Sequence, residues 1–281
     1  MGWCARLELG FEAGSERTVL RHRRHAGPLR VQRPFYPEGN PCHTYLLHPP
    51  GGVVGGDRLD IEVAVESGAH ALLTTPAAAK FYRSAGPVAR QRQSLRVAAG
   101  GTLEWLPALN IVHRGARVEL RNRFELAPDA RLLAWDLLGL GRPGSGDKFE
   151  SGCCDTSLQV TVDRRPLLVE RLRTEGGDPM LKAAWGLQGR GYLATLIAAP
   201  ATPQTLVALR GGLRSVPDGA FGCTLLPMPG HRLGHPVTGL LVCRWLAAAG
   251  EALWESMIEA WALLRPLVLG REPCPPRIWS T

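Results

Sequence analysis

PCHTYLLHPPGGVVGGDRLDIEVAVESGAHALLTTPAAAKFYRS, residues Pro41 to Ser84, decides how the rest of the chain is read. Two glycine pairs, Gly51-Gly52 and Gly55-Gly56, bracket Val53-Val54, with Pro49-Pro50 before them and Asp57 after. Glycine accepts positive φ and close backbone approach, so this cluster specifies one particular turn. A strand follows, with Ile61, Val63 and Val65 on one face and Glu62 and Glu66 on the other. A second turn and the compact TTPAAAKFYRS close the stretch. It either cradles a ligand, shapes a scaffold or docks a partner.

The same rhythm continues on both sides. ARLELGFEAG, TVLRHRRHAG, ARQRQSLRVAAG, GTLEWLP, ARVELRNRFELA, ARLLAWDLLGLG, DTSLQVTVDRR and PLLVERLRTEG alternate or carry β-branched residues, and Gly, Pro, Asn or Asp separates them. The unit "strand, Gly-Ala or Pro-Asp-Ala, strand" recurs without exact repetition. This predicts a mainly β fold, a stacked body of β-helix-like or β-sandwich-like form. The last third differs. TPQTLVALRGGL predicts a short helix ending at Gly211-Gly212. Residues 246–265 predict a longer one, with Leu246, Leu253, Trp254, Met257, Ile258, Trp261 and Leu264 on one stripe and Pro266 as the stop. The stretch between them, CTLLPMPGHRLGHPVTG, reads as a Gly/Pro-rich connection. PCPPRIWST is stiff and carries an apolar Trp, so it is expected to dock. The expectation is one domain over 1–281, a β-rich body to about 200 and a small helix-containing region over about 201–281.

Composition narrows the classes. The chain has 281 residues, net charge +8 and seven cysteines without a C-x-x-C pair. That pattern predicts free thiols in a reducing, cytoplasmic setting. No secretory leader and no membrane-spanning run is read. Arg21, Arg23, Arg24 and Arg30 form the densest basic patch, but no aromatic residues interleave it. It reads as a solvated edge, and nucleic acid is not expected as a partner.

GRPGSGDK, Gly141 to Lys148, approaches a phosphate-binding loop, yet Asp147 stands where the lysine belongs and a strand-like run follows. A structured turn is the expected reading, with a nucleotide-binding enzyme as the alternative. Cys42, His43 and His48 fall together, with Asp57 and Asp60 nearby, and His with thiolate suits nickel, copper or zinc. The spacing matches no structural zinc pattern, and in a strand Cys42 and His43 point to opposite faces. His231 and His235 are four apart, but Gly234 and Pro236 break the helix that would align them. Glu104 and Asp136 lie in apolar segments, where a carboxylate needs a partner, most simply an arginine. No nucleophile with a matching base stands out, so no catalytic residue is assigned.

Six segments in order resemble the urease accessory protein family UreD, called UreH in some organisms. They are YPEG (Tyr36–Gly39), CHTYLLHPPGGVVGGDRL (Cys42–Leu59), LLTTPAAAKFYRS (Leu72–Ser84), LEWLP (Leu103–Pro107), GLGRPGSGDKFESG (Gly139–Gly152) and PRIWST (Pro276–Thr281). The resemblance implies a maturation scaffold that is not an enzyme. It implies binding of apo-urease subunits and of UreF, and through UreF of the nickel-carrying GTPase UreG. GTP then belongs to UreG alone, no cofactor is held tightly, and Ni2+ passes transiently, through an internal channel. On that reading His43, His48, Asp57, Glu104 and Asp136 are expected along a weak nickel path, and Gly51, Gly52, Gly55 and Gly56 shape the turn. The +8 charge suits acidic partner surfaces. After LEWLP the chain departs from the family pattern: Ala108–Arg114 lacks the acid usual there, so an ion-path role does not carry over to this segment. His113 reads either as a softer substitute ligand or, more commonly for a lone histidine, as structural. A stand-alone nickel-binding protein is the remaining alternative.

Overall fold

The computed structural model describes residues 2–228 and 238–280. His231 and His235 lie outside the described residues. Among the described residues, seventeen strands form two facing sheets. The first contains β1 (Cys4–Ala13), β2 (Thr18–Ala26), β5 (Arg58–Val65), β8 (Ala89–Val97), β11 (Arg117–Leu126), β13 (Cys153–Val162) and β14 (Arg165–Glu175). The second contains β3 (Arg30–Val31), β4 (Cys42–Leu47), β6 (His70–Thr74), β7 (Ala79–Phe81), β9 (Thr102–Leu106), β10 (Asn110–Val112), β12 (Arg131–Leu140), β15 (Tyr192–Ala201), β16 (Ala220–Pro227) and β17 (Gly239–Ala247).

Between β4 and β13 the chain winds from one sheet to the other and back, so successive turns stack in parallel register. Arg58 faces Arg90, Val118 faces Ala89 and Arg117 faces Cys153 in the first sheet. In the second, His70 faces Thr102 and Arg131 faces Thr102 from the other side. This is the expected stacked β body. Antiparallel strands end it: β2 on β1, β14 on β13, and β15, β17 and β16 beyond β12. Reversing direction closes a stack whose parallel edges would otherwise accept another turn.

The two sheets differ in sequence because they differ in surroundings. β8 alternates buried and exposed residues along its whole length, since its outer face meets water. HALLT and TLEWL are buried at every position. The second sheet is covered on both faces, by the first sheet and by two helices. Helix α1 (Pro203–Gly212) begins at Thr202, whose hydroxyl accepts from Thr205 N while the Thr205 hydroxyl accepts from Thr202 N. Helix α2 (Gly250–Leu264) buries Leu253, Met257, Ala260, Trp261 and Leu264 against the second sheet. Each large apolar side chain so buried contributes about 1.5–3 kcal/mol.

Two expectations about the last third are corrected. Leu246 and Ala247 end strand β17 instead of opening the helix. CTLLP of the presumed connection lies in β16, an edge strand, where Pro227 removes no ladder bond that a central strand would need. The α-helix does end just ahead of Pro266, as expected, at Leu264. The chain continues as a π-helical turn over Arg265–Leu269, ended by Gly270 at φ 67. The wider turn avoids driving the proline ring into the carbonyl four residues back. It also sets Arg265 against the second sheet. Trp279 of the tail docks as expected, with ring centroids 5.5, 5.6 and 5.2 Å from Trp135, Trp254 and Trp261.

Candidate functional site

The inward faces of β8 and β11 are apolar except in the middle. Gln91, Gln93 and Asn122 occupy core positions there, and Gln93 stands in register with Asn122. Asn110 from β10 joins them, with its Oδ1 3.5 Å from Gln91 Nε2. Across the gap stands Asp136 of β12. Burial pushes its carboxyl up to about 6, against the hydrogen bonds from Asn122 and Asn110. Cys154, opposite on β13, is pushed up to about 12 by burial first and by Asp136 next. A polar seam thus crosses an otherwise apolar interior, with Asp136 as its acid.

A cleft lies on each side of the seam. One, about 310 Å³, is lined by His48, Gly51, Gly52, Gln91, Gln93 and Asn110 among others. Burial lowers the His48 pKa, and the charge of Asp57 works the other way. The second cleft, about 460 Å³, holds Asp136, Thr156, Ser157 and Thr195. An ion pair between Arg244 of β17 and Glu170 of β14 bridges the sheets at its wall.

Asp57 is buried with both oxygens engaged: it accepts from Trp3 N at 2.8 Å and from Val54 N at 3.0 Å. It thereby ties the N-terminal strand to the glycine turn. Within that turn a Cβ on Gly52 would lie 2.2 Å from the Tyr82 ring and 2.7 Å from Lys80 O, whereas one on Gly51 would meet open space. Gly55 is crowded by Ser84 and Pro87, and Gly56 has φ +94.

His43 and Glu104 lie elsewhere, on the helix-facing side of the second sheet. Glu104 accepts from His70 Nε2 at 2.8 Å, Trp261 Nε1 at 2.8 Å and Arg265 Nη2 at 3.0 Å. Burial pushes the Glu104 carboxyl up, but the bond and charge of His70 and the charge of Arg265 outweigh it and hold it below the usual range. Arg265 also reaches Glu38, which pairs with His43 Nε2 at 2.7 Å. His43 Nδ1 is buried and unpartnered. Cys42 points the opposite way, into the inter-sheet core, as strand parity requires.

The sequence-selected residues therefore separate into two groups, one between the sheets and one beneath α2. Arg265, Glu38, His70 and the three inward amides were not singled out from sequence. Strand parity marks the amides, since Gln91 and Gln93 share the face of Leu95 and Val97. Among the described residues no three His, Cys, Asp or Glu side chains converge as a metal centre. All seven cysteines are free thiols.

The GRPGSGDK turn is organised by its own acid. Asp147 accepts from Arg114 N at 3.1 Å, Phe149 N at 3.2 Å and His113 Nδ1 at 3.0 Å. The Asp147 carboxylate is thus engaged by backbone N–H groups flanking the turn, and strand β13 follows it instead of a helix. His113 is held there, stacked on Tyr82 at 5.4 Å.

Fold and site together define a β-solenoid-like scaffold, two sheets with a polar seam between them, closed by C-terminal helices. A family model described as UreD urease accessory protein matches residues 4–280. The chain belongs to that family. It is 51% identical over 280 residues to the urease accessory protein UreD of Alkalilimnicola ehrlichii, covering 100% of this chain and 92% of the relative. It is 49% identical to that of Pseudomonas putida strain W619, covering 100% of this chain and 95% of the relative. For Enterobacter sp. strain 638 the identity is 43%, with 100% and 96% covered. No helix among the described residues is long and apolar enough to cross a membrane.

Proposed function

We propose that the protein is a urease maturation factor, a non-enzymatic scaffold that binds apo-urease and UreF, and through UreF the GTPase UreG. Nickel is its cargo. The ion crosses between the sheets, from the His48 cleft past the amides to Asp136 and out through the second cleft. The observation that carries this reading is Asp136. It is the acid of the seam, and its neighbours are neutral amides, so it offers a divalent ion a single weak carboxylate contact. A carboxyl with pKa about 6 readily releases its proton to water as a cation arrives and regains one when the cation leaves. Tight, closed coordination would retain the cargo. The arrangement of Asp147 in the GRPGSGDK turn supports a structural role for that loop over a nucleotide site.

The test is Asp136→Asn in cells carrying a urease operon, with complex formation and urease activation scored separately. The expected result is a normal complex with urease and UreF but urease poor in nickel. Full activation by this variant would remove the seam from the path. Failure of the unaltered chain to capture urease or UreF would remove the scaffold reading itself.

A further inference from the structure

Cys223 and Cys243 are direct cross-strand partners in the antiparallel pair β16–β17. Directly opposed residues in such a pair hold Cα atoms about 4.5–5.5 Å apart, inside the range a disulfide spans. Their environments are unequal. Cys243 is 0% exposed in the core beneath the helices, while Cys223 is partly exposed on the edge strand. Arg210, in the last turn of α1, donates from its guanidinium to Cys223 O at 2.7 Å, which sets its charge beside the thiol. The hydrogen bond from Cys243 lowers the Cys223 pKa most; burial opposes this and Arg210 adds to it. Burial, followed by the contact with Cys223, keeps Cys243 a neutral thiol. An accessible thiolate beside a cation, with a second thiol already in reach, is the arrangement of a redox-active pair.

We propose that Cys223 and Cys243 form a peroxide-responsive site, in which Cys223 is oxidised first and Cys243 resolves it to a disulfide joining β16 to β17. The Cys223 thiolate attacks one oxygen of a hydroperoxide and breaks the O–O bond. Sulfur is oxidised to sulfenic acid, and the other oxygen leaves as water, or as an alcohol, after taking a proton. The Cys243 sulfur then attacks the sulfenic sulfur. The hydroxyl leaves as water with the Cys243 proton, and the S–S bond forms. Two thiols and one peroxide are consumed for one disulfide. The reaction is independent of nickel and of the seam.

The purified full chain is treated with hydrogen peroxide and digested without reduction. The expected result is a Cys223–Cys243 linked peptide that dithiothreitol removes. In Cys243→Ser, the sulfenic acid persists and dimedone labels Cys223. In Cys223→Ser, both the link and that label are lost. Iodoacetamide at pH 6 should alkylate Cys223 about tenfold faster than an unstructured cysteine peptide, since its gain in thiolate fraction exceeds its loss of intrinsic nucleophilicity. Absence of the linked peptide in the unaltered chain overturns the proposal, as does dimedone labelling elsewhere with Cys223 unlabelled. Alkylation no faster than the peptide does so too.

Discussion

Asp136 and Glu104 belong to the same sheet but face opposite ways: Asp136 points between the sheets and Glu104 toward α2. Each is an acid in an apolar strand, yet their partners differ in kind. Asp136 has neutral amides. Glu104 has an arginine, a histidine and an indole N–H.

Asp136 carries a raised pKa, so its effect on stability has a definite sign. The neutral form suits the fold, and its contribution is full below about 3.8 and lost as pH rises through about 6. Asp136→Asn is expected to match the unaltered chain near pH 4 and to exceed it by roughly 1–3 kcal/mol above pH 7. Urea unfolding at the two pH values measures this. Urease activation by the same variant is expected to fall about tenfold, the scale for a lost metal partner.

Glu104 and Glu38 behave oppositely. Glu38, though raised by burial, is held at about 2 by His43 and Arg265, and Glu104 is likewise held low. Their contribution is present above about 4.5 and is lost as pH falls toward 2. Acid should therefore release α2 from the second sheet. Tryptophan emission is the readout, because Trp135, Trp261 and Trp279 all sit at that contact. A spectrum unchanged between pH 5 and 2.5 would contradict it.

Removing one partner of a buried pair leaves a stranded charge. Arg265→Leu is expected to destabilise by about 3–5 kcal/mol. The double variant Arg265→Leu with Glu104→Leu should recover much of that loss. Denaturant midpoints of the single and double variants, compared as a cycle, test the coupling.

Gly51 and Gly52 are adjacent and chemically identical, but only Gly52 is closely approached. Gly51→Ala is expected to change stability by less than about 0.5 kcal/mol. Gly52→Ala must displace Tyr82 or the Lys80 carbonyl and should cost about 1–3 kcal/mol. Thermal melts of the two variants distinguish them.

Asp57→Ala removes the acceptor shared by Trp3 N and Val54 N. Loss of both bonds is expected to cost about 1–3 kcal/mol. Amide exchange at Trp3 and Val54 should rise, and exchange within β12 should not. Equal protection in the variant would show that the turn holds without its carboxylate.

Much of the fold is legible in the sequence because alternation survives wherever a strand has one wet face. ARQRQSLRV and RVELRNRFEL show it directly. YLATLIAAPA does not alternate, since the second sheet is covered on both sides, so the sequence carries no period-two signal for β15. The turn around Gly51–Asp57 is visible as a turn, but its geometry is not. Asp136 shows itself as an acid among apolar neighbours, while its partners emerge only from parity along β11 for Asn122 and from the placement of β10 for Asn110. The Glu104–Arg265 pair has no local signal at all, because 161 positions separate its members.

That separation has a meaning during synthesis. A ribosome adding about 5–20 residues each second takes roughly 8–30 s to pass from Glu104 to Arg265. Through that interval the emerging solenoid holds an acid without its cation and a sheet face without its helix. Any product that terminates early keeps both defects permanently. Only a chain that extends through Arg265 pairs that acid and covers that sheet face.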